Sequence, residues 1–419
     1  MVDINLIRNN IEEVKTRLAT RGFDVSKVDE IAILDRKMRE LLVKKENLTA
    51  VKNQKSKTIG LLKDKKQERD KLLEEVALLK NEISTIEDTF NKVKEELDEK
   101  ILYIPNLPAK NVIIGKDEND NKVIKTVGDI PNFDFNPKAH WDLAITNALI
   151  DFDRSTKVTG SRFIIYTGLG ARLYRALQLF CLHNNIKDFH CKEIHAPVIV
   201  HSDSLFGTGN LPKFKDDLFK LDDSNYYLSP TAEVQLTNLH RNEIIKGDAL
   251  PFYYTANTSC FRSEAGSAGK DTRGVIRQHQ FNKVEIVKIV RPETSWEEHE
   301  TLTRAAETIL EKLNLPYRRI QLCTGDMGFS SAMTYDIEVY LPSYQAYKEI
   351  SSCSNCLDFQ ARRAKIRYRD NAKDDTKFVH TLNGSSLAID RLWAAVVENY
   401  QKINGEIEIP EALKPFLLF

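Results

Sequence analysis

The 419-residue chain lacks a net charge, with 61 lysines and arginines against 61 aspartates and glutamates. No whole-chain field therefore steers it toward nucleic acid or an anionic surface. It also lacks any apolar run near the roughly 20 residues that a membrane span needs. Its start, Met1-Val2-Asp3-Ile4-Asn5, has none of the basic-then-apolar form of a signal peptide. These absences lead to the expectation of a cytoplasmic protein with no membrane partner. Six cysteines are too scattered for a disulfide framework. Cys353 and Cys356 make one CxxC pair without the second pair or spaced histidines that a tetrahedral zinc site requires. No GxxxxGK[ST] occurs, which excludes a Walker phosphate loop.

A local absence is more informative. Residues 28–101 contain no proline and one glycine, Gly60, among many Lys, Glu and Leu, a composition that favours long helices. Leu72, Val76, Leu79, Ile83, Ile86, Phe90, Val93 and Leu97 step by four and three, the seam of a left-handed coiled coil. Ile31, Leu34, Met38, Leu41 and Leu48 keep the same beat, interrupted by Lys45 and Lys52. A reversal between Gly60 and Lys66 would lay the two arms antiparallel over roughly 50 Å. Between Arg36 and Lys71 thirteen basic residues face five acidic ones, whereas the returning arm is rich in Glu and Asp. A basic outgoing helix and tip fit a phosphate footprint. Charges that serve only pairing and solubility fit the pattern as well.

The hairpin ends at Ile104-Pro105-Asn106-Leu107-Pro108, where two prolines stop helix, and a polar stretch follows. This predicts a hairpin domain over 1–103, a linker over 104–133 and a mixed α and β domain over 134–419. Within the last, residues 169–184 read as helix, and 284–290 and 335–341 as strands.

Four segments of that domain carry chemistry. Cys260-Phe261-Arg262-Ser263-Glu264 and Arg273-Gly274-Val275-Ile276-Arg277-Gln278-His279-Gln280-Phe281 read as strand, glycine-punctuated loop and strand. The loop's arginines, with Lys270, suit a polyphosphate, because each guanidinium can form two aligned charge-assisted hydrogen bonds. Glu349-Ile350-Ser351-Ser352 offers Glu and Ser oxygens to a hard cation such as Mg²⁺, though both residues are also ordinary loop formers. In Asn383-Gly384-Ser385-Ser386-Leu387-Ala388-Ile389-Asp390-Arg391, Gly384 and Ser385 read as the entry to a helix with Arg391 in its early turns. A cation there opposes the helix polarity and calls for an anionic partner. Thr231-Ala232-Glu233 opens another helix, where plain capping is the simplest explanation.

Taken together, and in order along nearly the whole chain, these segments resemble the bacterial-type seryl-tRNA synthetases. Phe261 to Glu264 with Arg273 to Phe281 is similar to class II motif 2, the segment ending in Arg391 to motif 3, and Pro197 to the motif 1 proline. Cys323-Thr324-Gly325-Asp326-Met327-Gly328 and Asp358-Phe359-Gln360-Ala361-Arg362-Arg363 are similar to the same branch. The resemblance implies an α+β protein: a long antiparallel coiled-coil hairpin that holds tRNA, joined to a class II catalytic domain of antiparallel sheet flanked by helices, acting as a homodimer. It implies activation of L-serine by ATP with Mg²⁺ and transfer to tRNA(Ser), with tRNA(Sec) a further acceptor.

Residue by residue, the resemblance implies that Arg262, Arg391 and Glu349 are catalytic. Thr231, Ala232, Glu233, Arg262, Glu285 and Ser385 would surround serine. ATP would meet Arg262, Ser263, Glu264, Arg277, Phe281, Glu349, Ile350, Ser351, Ser352 and Arg391, with Phe281 and Arg391 on opposite faces of the adenine. Glu349 and Ser352 would hold the metal. Two positions depart from the pattern: Asp390 stands where a small or apolar residue is expected, and Ser386 where glycine is frequent. Neighbours on a helix point about 100° apart, so Asp390 need not pair with Arg391; a pair would weaken the hold on phosphate, and activity is expected to survive. A catalytically silent binding protein on the same scaffold, or a ligase for threonine or a carrier protein, are the alternatives that activity assays separate.

Overall fold

The computed structural model describes residues 1–62, 65–265 and 273–417. The chain divides into two compact units. One holds Val2–Ala19 and Phe23–Pro105, the other Met1, Thr20–Gly22 and Asn106–Phe419.

In the first unit, α1 (Ile4–Asn9) starts where Asp3 accepts the Asn5 N–H, and α2 (Ile11–Ala19) follows. They bury Ile7, Val14 and Leu18, and α3 (Ser26–Leu61) buries Val28, Ile31 and Asp35. Asp35 is 1% exposed and is held by Arg8 at 2.6 and 2.8 Å and by Arg39 at 3.0 Å. Without those guanidiniums a carboxylate could not remain charged there. α4 (Lys66–Ile101) runs back along α3, each helix having 36 residues, which at 1.5 Å per residue is about 54 Å. Val76, Ile86, Val93 and Leu97 are buried along the expected seam, and Leu72, Leu79, Ile83 and Phe90 are half-buried. Where the α3 seam turns to lysine, salt bridges replace apolar contact. Lys45 reaches Glu87 at 2.7 Å, Lys44 reaches Glu82 at 3.1 Å, and Lys55 pairs with Glu75. Part of the charge contrast between the arms is thus satisfied internally, while Arg36, Lys37 and Lys57 are exposed. Lys63 and Asp64, in the expected reversal, lie outside the described residues.

The second unit is built on a sheet that is antiparallel except at one edge. Its strands are β1 (Lys122–Val127), β2 (Lys192–Glu193), β3 (Ile199–His201), β4 (Tyr226–Leu228), β5 (Ile244–Lys246), β6 (Phe252–Phe261), β7 (Gln280–Val290), β8 (Tyr317–Gln321), β9 (Met333–Leu341), β10 (Ala346–Asn355), β11 (Arg367–Arg369), β12 (Lys377–Phe378) and β13 (His380–Ala388). The main sheet runs β1-β8-β9-β10-β13-β7-β6-β2, the β2 edge pairing with β6 in parallel, with β12-β11-β5 and β3-β4 as satellites. The helices are α5 (His140–Thr146), α6 (Phe152–Val158), α7 (Gly168–Phe189), α8 (Ser202–Thr208), α9 (Glu233–Asn238), α10 (Ser295–Lys312), α11 (Phe359–Ala364) and α12 (Ile389–Asn399). β1 lies within the stretch expected as linker, and its edge pairing with β8 ties that stretch to the sheet.

The period of two along β7 organises the site. Val284, Ile286 and Val290 face the core made with Leu173 and Leu177 of α7, Leu302 and Ile309 of α10 and Trp393 of α12. Burying each such aliphatic side chain stabilises by about 1.5–3 kcal/mol. On the other face Val287 and Ile289 pack against Ala232 and Leu236. Phe281, Lys283 and Glu285 continue that face beyond the apolar cover and so line an open cleft.

Candidate active site

The cleft consists of two adjoining cavities of about 590 and 370 Å³ that share Glu233, Arg262, Glu264, Arg277, Lys283 and Asn383. β13 supplies the floor beside β7, with Ser385 opposite Glu285 in register. β10 adds Glu349 and Ser352. Its pairing with β9 shifts register between Glu349 and Ser351, and such a bulge re-aims side chains. Glu349, Ile350 and Ser352 accordingly line the smaller cavity, while the Ser351 hydroxyl turns inward to donate to the Ser385 carbonyl at 2.5 Å.

Two local readings of the sequence need correction. The Glu349 to Ser352 segment is strand rather than loop, and Gly384 and Ser385 lie in the middle of β13 rather than at a helix entry. α12 starts at Ile389, which makes Arg391 its third residue. Gly384 lets β13 pack closely: a Cβ there would lie 2.3 Å from Leu302 Cδ2 and 2.9 Å from Cys353 Sγ, so those buried side chains would have to shift.

The Arg262 guanidinium lies 5.2 Å from the centre of the Phe281 ring, within the range of a cation–π contact. Arg391 donates from Nη1 to the Glu349 carbonyl at 2.7 Å and from Nε to the Ile276 carbonyl at 3.3 Å. The same Nη1 is 3.4 Å from Glu349 Oε2. That charge, more than any other influence, holds the Glu349 carboxyl below its ordinary range. Glu264 has φ of 53°, a conformation that side chains bearing a Cβ seldom adopt, and its Oε2 accepts from Arg277 Nη1 at 2.6 Å.

Thr231 Oγ1 accepts the Glu233 N–H at 3.2 Å, one position ahead of the N-cap, Ala232, which has no side-chain cap of its own. The Glu233 side chain does more than open a helix. Its Oε1 accepts from Gln360 Nε2 at 2.6 Å and from Asn383 Nδ2 at 3.1 Å. Burial, reinforced by the nearby Glu285 charge, pushes its carboxyl up to about 7. Glu285 is 1% exposed, and its Oε2 lies 2.7 Å from Lys283 Nζ. That oxygen has no aligned hydrogen-bond donor among the described residues, so it retains acceptor capacity toward the cleft.

The structure brings together Arg262, Glu264, Arg277, Phe281, Glu285, Glu349, Ile350, Ser352, Ser385 and Arg391 around the smaller cavity, and Thr231 and Glu233 on the larger. Three expected residues stand apart. Ser351 faces inward, Ala232 is fully buried against Leu236, and the Ser263 hydroxyl donates to the Asp216 carbonyl at 2.5 Å. Gly266 to Thr272 of the expected loop, Lys270 among them, lie outside the described residues. Sequence reading missed Lys283, Asn383 and Gln360. The first two share strand faces with Glu285 and Ser385 at a spacing of two and were open to that argument. Gln360 reaches Glu233 across 127 positions of chain, which no local signal reports.

Comparison with known proteins agrees with this geometry. Residues 1–108 match the family model described as "Seryl-tRNA synthetase N-terminal domain", and residues 214–400 match "tRNA synthetase class II core domain (G, H, P, S and T)". Serine--tRNA ligase of Ureaplasma parvum serovar 3 is 62% identical over 418 residues, covering 100% of both chains. Serine--tRNA ligase of Geobacillus kaustophilus is 50% identical over 417 residues, covering 100% of this chain and 98% of the relative. The crystal structure of seryl-tRNA synthetase from Pyrococcus horikoshii complexed with ATP superposes with a TM-score of 0.96 at 37% identity, covering 100% of this chain and 98% of the other.

Proposed function

This chain belongs to the seryl-tRNA synthetases, ATP-using class II ligases, and from that premise we propose how its cleft works. A carboxylate oxygen of L-serine attacks the α-phosphorus of ATP, the bond to pyrophosphate breaks, and seryl-adenylate forms. The 3′-hydroxyl of the terminal adenosine of tRNA(Ser) then attacks the seryl carbonyl, forming the ester and releasing AMP. No side chain needs to form a covalent intermediate. Positioning and charge stabilisation suffice, as in phosphoryl and acyl transfer generally.

The observation that carries this reading is the charged lining of the cleft. The guanidiniums of Arg262, Arg277 and Arg391 share one cavity with the carboxylates Glu233 and Glu285. In this reading Arg262 meets the α-phosphate and the serine carboxylate. Phe281 and Arg391 flank the adenine, Glu264 helps fix it, and Arg391 extends to the terminal phosphate. Glu233 takes the serine ammonium beside Thr231, and Glu285 with Ser385 takes the hydroxyl. The backbone around Ser263, Ala232 and Ser351 shapes these walls, since their side chains point elsewhere.

Glu349 and Ser352 suit Mg²⁺. Both offer hard oxygens to one cavity, and Arg391 keeps the Glu349 carboxyl ionised. When bound, the ion would neutralise charge on the phosphates. The hairpin, with Arg36, Lys37 and Lys57 exposed, suits a tRNA held by shape and backbone charge, and tRNA(Sec) is proposed as a second acceptor. Homodimerisation is proposed through the segment after Pro197, where Ile199 and Tyr226 are each 50% exposed on β3 and β4. Among the described residues no helix is long and apolar enough to cross a membrane, in keeping with a proposed cytoplasmic site of action. Serine-dependent exchange of pyrophosphate into ATP, compared with threonine and alanine, tests the reading, and charging of tRNA(Ser) and tRNA(Sec) transcripts tests the acceptors.

A further inference from the structure

Asp390 is 3% exposed, and its two oxygens take four donors. Oδ1 accepts from Tyr166 Oη at 2.7 Å and from Gln278 Nε2 at 2.8 Å. Oδ2 accepts from Tyr174 Oη at 2.8 Å and from the Asn282 backbone N–H at 3.1 Å. Arg391 is not among these partners, although it is the next residue. The Tyr166 and Tyr174 rings lie 4.5 Å apart, and Tyr166 also packs on Trp393 of α12 at 5.2 Å. Gln278 is further tied to the Val275 carbonyl at 2.9 Å.

The chain positions of these donors matter. Gln278 and Asn282 bracket Phe281, and Asp390 immediately precedes Arg391. One carboxylate in the first turn of α12 therefore clamps both ends of the segment that carries Phe281 to the residue beside Arg391. We propose that Asp390 is a positioning residue for nucleotide binding: it fixes the separation of Phe281 and Arg391, and so the width of the slot that accepts the adenine of ATP. This rests on the reading of the cleft as an ATP site. With four donors of its own, Asp390 needs no counterion from Arg391 and leaves that guanidinium to Glu349 and the nucleotide. Burial raises the Asp390 carboxyl, and the four donors oppose that rise.

Asparagine keeps the shape but offers one oxygen where the site requires two. Its NH₂ would face either Tyr174 and the Asn282 N–H, which also reaches Tyr174 Oη at 3.1 Å, or Tyr166 and the Gln278 amide, which is tied to the Val275 carbonyl. A tyrosine hydroxyl can rotate to accept, whereas the other donor of either pair cannot. In full-length protein, Asp390→Asn is expected to raise the dissociation constant for ATP on the order of tenfold by calorimetry without serine. The KM for ATP in pyrophosphate exchange should rise in parallel, with the KM for serine within about twofold of wild type. Tyr174→Phe removes one donor of four and should raise the ATP constants about two- to fourfold, again sparing serine. ATP constants unchanged in Asp390→Asn would overturn the proposal, as would ATP and serine constants rising together. If Asp390→Asn does not fold, Tyr174→Phe decides by the same criteria. Wild-type protein that binds ATP but shows no serine-dependent exchange would reject the serine reading while leaving the calorimetric test of Asp390 intact. Wild-type protein that binds no ATP would reject both.

Discussion

Lys283 Nζ lies 2.7 Å from Glu285 Oε2, and the two side chains project from the same face of β7 into the cleft. Both residues are buried, so each depends on the other for charge compensation. Glu285→Gln keeps the volume but removes the charge, leaving Lys283 without its partner and a substrate hydroxyl without its best acceptor. A lost interaction of about 1–3 kcal/mol lowers kcat/KM for serine by roughly 5- to 150-fold. Exchange kinetics should show this with the KM for ATP nearly unchanged, alongside a lower thermal midpoint.

Glu233 gives a pH dependence. Its carboxyl sits at about 7 instead of the ordinary 4.5. Between those values the folded protein holds a proton that the unfolded chain has released, so this group makes stability fall as pH rises from 4.5 to about 7 and level off above. On the proposed serine site activity runs the other way, because only the ionised form would attract the serine ammonium. The logarithm of kcat/KM for serine should climb with pH to about 7 and then flatten. Glu233→Gln should lower the plateau and abolish the titration.

Glu349 is tested by the metal. Glu349→Gln retains an oxygen but loses the charge that suits Mg²⁺. The Mg²⁺ concentration for half-maximal exchange should rise at least about tenfold, and kcat at saturating Mg²⁺ should fall about 10²–10³-fold. Ser352→Ala should move the Mg²⁺ requirement in the same direction by less. A Mg²⁺ titration unchanged in both variants would remove these residues from the metal site.

What could be read from sequence depended on how local each signal is. The coiled-coil seam was legible because Val76, Ile86, Val93 and Leu97 repeat within one helix, and β7 was legible as a β-branched run. β10 and β13 were misread because Glu-Ile-Ser-Ser and Asn-Gly-Ser-Ser look like loops in isolation. What makes them strands is their pairing with one another and with β9 and β7, and Gly384 owes its place to Leu302 and Cys353. Helix geometry says that Asp390 need not pair with its neighbour Arg391, but not where its carboxylate goes instead. Two of its partners, Tyr166 and Tyr174, stand 224 and 216 positions away, where no periodicity reaches.

The hairpin can be shortened without disturbing its root, because Asp35 and Arg39 lie in the first half of α3 and Arg8, the other partner of Asp35, lies in α1. Lys45 and Glu87 face each other at 2.7 Å. Replacing residues 46–86 with a short glycine-rich turn should therefore leave the remaining arms paired. Serine-dependent exchange is expected within about twofold of wild type, whereas charging of tRNA(Ser) should fall more than about 100-fold as the phosphate contacts are lost. Unimpaired charging by the shortened protein would contradict a role for the hairpin in holding tRNA.

The most direct measurement is exchange of labelled pyrophosphate into ATP by the purified full-length protein with serine, threonine or alanine as the only amino acid. Exchange that depends on serine, falls by at least about 10²-fold with threonine or alanine, and is lost in Arg262→Ala is the predicted result. Exchange that is absent with serine, or equal with all three amino acids, would contradict the assignment of this cleft.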